Sequence, residues 1–251
     1  MLIHRFPAAT GDEFAVAPRI GGATGGGRRE RQAEEKQEAK LLHGGSLISI
    51  VSRASLMQIP LVKGASKFQG KSLKGQFLLD GGKLRGSYFH RSVVLLCHHD
   101  DEGAFGLVIN RASDNQVGDL LLADLPVALK EQKLFAGGPV QPAALSFLHH
   151  DGFIPDANVL PNLNLGHSLE ELVDIGESYS STQQVKIFAG YAGWSPGQLE
   201  DELKRNSWVT FPATPDLVFH APPDQLWPTI MKQLGWRQRL LADTPEDLSW
   251  N

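Results

Sequence analysis

Apolar positions fall into periodic runs only after about Leu73; upstream of it they are scattered among polar, charged and glycine residues. Downstream, Ser92–His98 (SVVLLCH) and Ala104–Asn110 (AFGLVIN) are short apolar runs with β-branched residues, divided by His99–Gly103 (HDDEG), which has turn chemistry. Together they predict two paired strands in a hairpin. Leu134–Ala136, Ser146–His149, Val185–Ala189, Trp208–Phe211 and Leu217–Phe219 predict further short strands. Helices are fewer but better signalled. Ser168 with Glu171 three residues on has the capping-box pattern, and Leu169, Leu172 and Val173 then share one face. A second helix is predicted from Asp224 through Leu226, Trp227, Ile230 and Leu234, with Pro228 tolerated early and Gly235 as its stop. Strands interspersed with isolated helices, without regular βαβ alternation, favour an α+β domain over a doubly wound sheet. No repeat recurs at a fixed period.

The first part of the chain has a different texture. Gly21–Gly27 (GGATGGG) leads into Arg28–Lys40 (RRERQAEEKQEAK), whose mixed charges suit a solvated helix with i,i+4 pairs. Arg28, Arg29 and Arg31 resemble a nucleic-acid arm, but Glu30, Glu34, Glu35 and Glu38 neutralise them. Residues 1–70 are therefore expected to be a disordered or weakly helical extension, and residues 71–251 the folded domain. Met57 lies shortly before the organised region, and a chain begun there would be ~195 residues long, an ordinary single-domain length. That raises the expectation that the upstream segment reflects start-codon choice.

Charge sharpens this division. Residues 1–70 hold ten Lys/Arg against six Asp/Glu, leaving 14 basic and 22 acidic residues for the remainder. The domain is acidic and has no basic patch, so direct binding to nucleic acid is not expected, because phosphate neutralisation supplies most non-specific affinity. No apolar run approaches the ~18 residues that span a bilayer. Met1–Ala9 carries no sustained apolar core of a secretory signal, and Cys97 is the only cysteine. A lone thiol excludes an intramolecular disulfide and a Cys-x-x-Cys metal site, and the expected location is cytoplasmic.

Gly193-Trp194-Ser195-Pro196-Gly197 matches the G-x-S-x-G nucleophile elbow in form. In that elbow the residue after the serine donates its backbone N–H to the oxyanion hole, and Pro196 has none. The same residues fit a helix start instead, with Ser195 as N-cap, Pro196 at N1 and Gln198 at N3, Leu199 and Leu203 on one face, and Asn206 as its end. No clear strand is expected immediately before the serine, since Gly190–Trp194 intervenes.

His98-His99 and His149-His150 invite a metal reading, but strand neighbours point to opposite faces, and no H-E-x-x-H pattern is present; only convergence of His99 and His149, with Asp100 or Glu102, would build a shell. No metal and no cofactor is expected. Cys97 is expected to be a small buried hydrophobe. Gly137-Gly138-Pro139 follows a short strand and lacks the ending of a phosphate loop, so a tight turn is the simpler reading. Tyr191, Trp194, Trp208 and Trp227 are expected in core or rim packing.

Phe89-His90-Arg91-Ser92-Val93-Val94, Gly103–Asn110 (GAFGLVIN), Gly137-Gly138-Pro139-Val140, and Gly190-Tyr191-Ala192-Gly193-Trp194 with Gly197-Gln198-Leu199-Glu200 together resemble the bacterial AlgH/YqgE family, in that order. The resemblance implies a single α+β domain whose bent, mixed, largely antiparallel sheet curls into a pseudo-barrel with flanking helices. It also implies a cytosolic protein of a kind labelled transcriptional regulator, with no agreed molecular activity and no catalytic residues to carry over. The family's early Ala-x-Pro and Asp-Pro elements stand here as Asp80-Gly81-Gly82 and Arg85-Gly86-Ser87, which alters the turn before Val93.

Arg91, His99, Asn110, Gly137, Gly138, His149, Tyr191, Trp194 and Gln198 are the motif residues expected to form a binding site, in a groove between the Gly137 turn and the Gly190–Glu202 segment. The expected function is non-enzymatic: binding or regulation through a protein partner or small ligand, with any transcriptional effect indirect. The alternative is a hydrolase acting on a phosphate or acyl substrate with His99 or His149 as base.

Overall fold

The computed structural model of the protein describes residues 71–121, 125–151, 157–177 and 184–245. The expected extension, including the charged Arg28–Lys40 segment and Met57, lies outside the described residues. Nine strands and seven helices follow in order among those described. They are β1 (Gln76–Asp80), β2 (Val93–Asp100), β3 (Gly103–Val108), β4 (Ala112–Gln116), α1 (Val117–Leu120), α2 (Val127–Lys130), β5 (Lys133–Ala136), β6 (Val140–His150) and β7 (Leu163–Gly166). After these come α3 (Leu169–Glu177), β8 (Gln184–Trp194), α4 (Gln198–Lys204), β9 (Trp208–Pro212), α5 (Pro215–Phe219), α6 (Pro223–Leu234) and α7 (Trp236–Asp243).

The strands form one mixed sheet in the order β4-β5-β8-β3-β2-β1-β9, with β6 pairing β8 and β7 pairing β6. Only β5 and β8 run parallel; every other pairing is antiparallel. The path is open at β4 and β9, so the sheet bends without closing into a barrel. The architecture is a single α+β domain, as expected.

β2 is apolar without alternation because both of its faces are covered. Val93, Leu95 and Cys97 join Phe77, Leu79 and the α6 residues Trp227, Ile230 and Met231 in one core. Val94 and Leu96 face the other way, into a second core with Leu78, Phe89, Trp194, Leu199 and Trp208. A third cluster sits under α1, α2 and α3, where Val117, Leu129 and Leu172 cover Phe147 and Ile187. Among the described residues no helix is long and apolar enough to cross a membrane.

Several boundaries differ from expectation. The β2–β3 hairpin is tighter, with Asp101 and Glu102 at its tip and a register shift between Leu96 and His98 that makes Cys97 a bulge residue. Leu217–Phe219 belongs to helix α5 and not to a strand. Thr214 caps that helix by accepting from Leu217 N at 3.3 Å, and Pro215 fixes its first turn, so local capping overrides the apolar triplet. Helix α4 starts at Gln198, later than expected, with Gly197 at φ 75° as its N-cap in place of Ser195. Half of the expected box survives, because Gln198 Oε1 accepts from Ser195 N at 3.1 Å. A strand does run up to the serine: β8 continues through Trp194, paired with Ala104 of β3. The Ser168 cap is as expected, its hydroxyl accepting from Glu171 N at 3.3 Å.

Candidate functional site

The groove expected between the Gly137 turn and the Gly190–Glu202 segment is filled by backbone. Gly137 N donates to Ala189 O at 2.8 Å, and Gly137 O accepts from Val108 N at 2.7 Å. A Cβ on Gly138 would stand 2.1 Å from the carbonyl of Tyr191, and one on Gly190, whose φ is +71°, would meet Gly138 O at 2.5 Å. The glycines are there so that two chains can touch. They form no anion-binding turn facing an opening. Tyr191 is buried, its ring 5.0 Å from that of Phe105.

Trp194 and Gln198 belong to a network that fastens α4 to the sheet. Glu202 Oε2 accepts from the indole N–H of Trp194 at 2.9 Å and of Trp208 at 2.7 Å, while Oε1 accepts from Gln198 Nε2 at 3.0 Å. Phe89 completes the cluster, 6.5 Å from Trp194 and 5.5 Å from Trp208. These motif residues hold a helix in place; they do not line an open groove.

The histidines do not converge. His99 pairs with Ala104 on β3, near the Trp194 end of β8, whereas His149 pairs with Val185 at its other end. Val185 and Trp194 are nine steps apart along β8, roughly 30 Å of contour. His99 Nδ1 accepts from Leu73 N at 3.0 Å, which places the ring proton on Nε2, 2.7 Å from Glu200 Oε1. With both nitrogens engaged, His99 is poorly set to act as a base. His149 is buried with Nε2 lacking a hydrogen-bond partner, and burial holds its pKa below the ordinary value. Among the described residues no group of three or more His, Cys, Asp or Glu could hold a metal ion. Burial pushes the Cys97 thiol far up, so it is inert packing.

Arg91 and Asn110 are brought together, at a different place. Asp80, fully buried, organises the loop that carries Arg91: its carboxylate accepts from Gly82 N at 2.8 Å, Leu84 N at 3.2 Å and Arg91 N at 2.9 Å. The Asp80-Gly81-Gly82 sequence thus builds a turn around one carboxylate. Arg91 takes a left-handed φ of 52°. Asn110 then acts as a substitute strand neighbour, accepting from Val93 N at 2.8 Å and donating to Arg91 O at 3.0 Å. Arg91 lies 5.2 Å over the Trp227 ring, whose indole N–H donates to Asp80 O at 3.1 Å.

This loop, the end of β3 and the first turns of α6 enclose an open cleft of about 600 Å³ lined by His90, Arg91, Asn110, Arg111, Asp224 and Trp227. Arg111 was not singled out by its sequence pattern. It donates to His90 O at 3.0 Å and stacks 4.7 Å over the Tyr88 ring, and no carboxylate among the described residues pairs with it. Burial lowers its pKa, yet a guanidinium stays charged at neutral pH. His90 Nδ1 is 3.5 Å from Asp80 Oδ2 without a hydrogen bond. The cleft therefore gathers two guanidiniums, an imidazole and a side-chain amide; Asp224 lines it as well, the Asp80 carboxylate lies behind His90, and the Arg91 guanidinium also donates to Thr244 O. A hint lay in the sequence: Arg91 and Arg111 each flank an end of the paired β2 and β3 runs, which brings them to one end of the hairpin.

A family model described as AlgH-like matches residues 77–239. A UPF0301 protein of Chlamydia pneumoniae is 33% identical over 180 residues, covering 71% of this chain and 95% of that protein. A UPF0301 protein of Shewanella frigidimarina is 36% identical over 173 residues, covering 66% of this chain and 92% of its own length. The solution structure of the AlgH protein from Pseudomonas aeruginosa superposes with a TM-score of 0.56 at 30% identity, covering 74% of this chain and 98% of that one. A crystal structure of a Corynebacterium diphtheriae protein gives the same TM-score at 22% identity, covering 70% and 94%, a likeness of fold alone.

Proposed function

The chain belongs to the AlgH-like family, and from that premise we propose that it is a non-enzymatic binding protein whose cleft beside Arg91 and Arg111 takes a small anionic ligand. The carrying observation is Arg111: a half-buried guanidinium facing a cleft of about 600 Å³, with one carbonyl acceptor and an aromatic platform but no carboxylate partner among the described residues. Removing such a charge from water without an anionic partner is costly, and a carboxylate or phosphate engaging its remaining N–H groups would offset that cost. Regulation through a partner that senses the loaded cleft fits the same reading, and the acidic domain makes any effect on transcription indirect. The hydrolase alternative loses support, because His99 has both ring nitrogens committed and His149 is buried at the far end of β8, away from the cleft.

Thermal unfolding of the full chain with inorganic phosphate, pyrophosphate and a set of dicarboxylates tests the proposal. A ligand present at ~100 times its Kd stabilises the folded state by about 2.7 kcal/mol, which is a readable rise in Tm. Arg111→Gln should abolish the rise while leaving the unliganded Tm close to that of the parent. If no anion moves the parent, or the variant responds equally, the anionic reading is wrong.

A further inference from the structure

A second cavity, of about 340 Å³, is walled by Phe135, Phe219, Pro222 and Pro223, and the side chain of Lys186 opens into it. Lys186 lies within β8, paired with Leu148 of β6 and only 7% exposed. Its Nζ donates to Val218 O at 2.9 Å and sits 4.1 Å over the Phe135 ring. An ammonium has three N–H donors, and this one has a single carbonyl acceptor and no carboxylate among the described residues. Among the described residues no other charged or titratable group pairs with it. Exposed Lys133 on β5 and His220 after α5 line the same cavity, and the His150 ring on β6 lies 6.1 Å from that of Phe219, tilted by 56°. Asp216 is 3.0 Å from His220 Nδ1 and makes no contact with Lys186.

We propose that Lys186 is a nucleophilic amine that captures small apolar aldehydes or ketones in this cavity as an imine. The neutral amine attacks the carbonyl carbon, forming the C–N bond as the carbonyl electrons move onto oxygen; the oxygen gains a proton while the nitrogen loses one. Loss of that oxygen as water, with the second amine proton, leaves C=N. Amine and carbonyl compound thus become imine and water, and no redox partner is needed. The surroundings favour this chemistry in two ways. The aromatic and proline walls admit an apolar carbonyl compound and hold its reacting carbon beside Nζ. Burial without a counter-charge brings the pKa of Lys186 down to about 8, so a far larger share is neutral amine at pH 7 than for an exposed lysine. A purely structural lysine capping the last turn of α5 through Val218 O accounts for the hydrogen bond. It does not account for the open, mainly apolar cavity that Lys186 lines. This cavity is distinct from the anionic cleft, and its chemistry stands or falls separately.

The full chain is incubated with benzaldehyde and sodium cyanoborohydride, which reduces an imine to a stable secondary amine, and labelled lysines are quantified by peptide mass spectrometry. At pH 7 the expected result is labelling of Lys186 at least about 10-fold faster than of exposed Lys204 and Lys232, given the difference in neutral amine. Its rate should level off above about pH 8, while theirs continue to climb. Lys186→Arg, which retains a donor for Val218 O, should remove the fast phase with an unchanged circular dichroism spectrum. Labelling of Lys186 no faster than Lys232, or only in urea, would overturn the assignment.

Discussion

At the residue scale, Asp80 and His149 show how one buried polar group can be satisfied and another left exposed to pH. The Asp80 carboxylate holds three backbone N–H groups of the loop that carries Arg91. Asp80→Ala would leave those donors buried without an acceptor, and a loss of about 3 kcal/mol is expected. Urea denaturation should show a lower midpoint with an unchanged m-value, and Asp80→Asn should lie between variant and parent. His149 is the opposite case. Its folded-state pKa is depressed by burial, so its contribution to stability is full above the ordinary value of 6.5 and is lost as pH falls below that value toward the folded pKa. His167 is shifted in the same direction by burial and adds to the effect. The Tm should therefore decline between pH 7 and pH 5, and calorimetry of His149→Phe should show a shallower decline. Both residues carry motif-like sequence environments, but only their coordinates distinguish an organiser of a loop from an orphan in a core.

At the element scale, α4 depends on the underside it presents to Trp194 and Trp208. Leu199 supplies the apolar anchor, and Glu202 satisfies both indoles through one oxygen. Glu202→Leu should cost about 2–4 kcal/mol, because two indole N–H groups lose their acceptor together. A red shift in tryptophan emission would accompany the lower Tm. Trp194→Ala should likewise behave as a core deletion, since that side chain is only 4% exposed. Where β8 bends at Gly190, the neighbouring Gly138 permits backbone contact, and Gly138→Ala is expected to prevent accumulation of folded protein, measured as soluble yield. Helix α5 teaches the same lesson about local signals. Its apolar triplet resembles a strand, yet a threonine cap and a proline at N1 decide for helix.

At the scale of the whole molecule, β8 is the strand on which the fold turns, pairing β6 along most of its length, β5 in parallel, and β3 at its end. The anionic cleft and the Lys186 cavity both lie against the α5–α6 junction: Pro222 and Pro223 wall one, while Asp224 and Trp227 line the other. Anion binding should therefore slow hydrogen exchange in the loop after β1 and in the first turns of α6, with little change at α3 in its separate core. The α+β class, the β2–β3 hairpin, the Ser168 cap, the Gly235 stop and the family were legible in the sequence, because capping, turn chemistry and runs buried on both faces act between neighbouring residues. The continuation of β8 through its glycines was not legible, since glycine signals a turn locally and a close backbone approach only when the partner chain is known. The hairpin brings Arg91 and Arg111 to one end, but the cleft that α6 closes over them was not legible, nor was the opening that Lys186 lines. Those depend on which strands pair and which helix covers them, and pairing over long sequence separations is decided by the packing of the entire sheet.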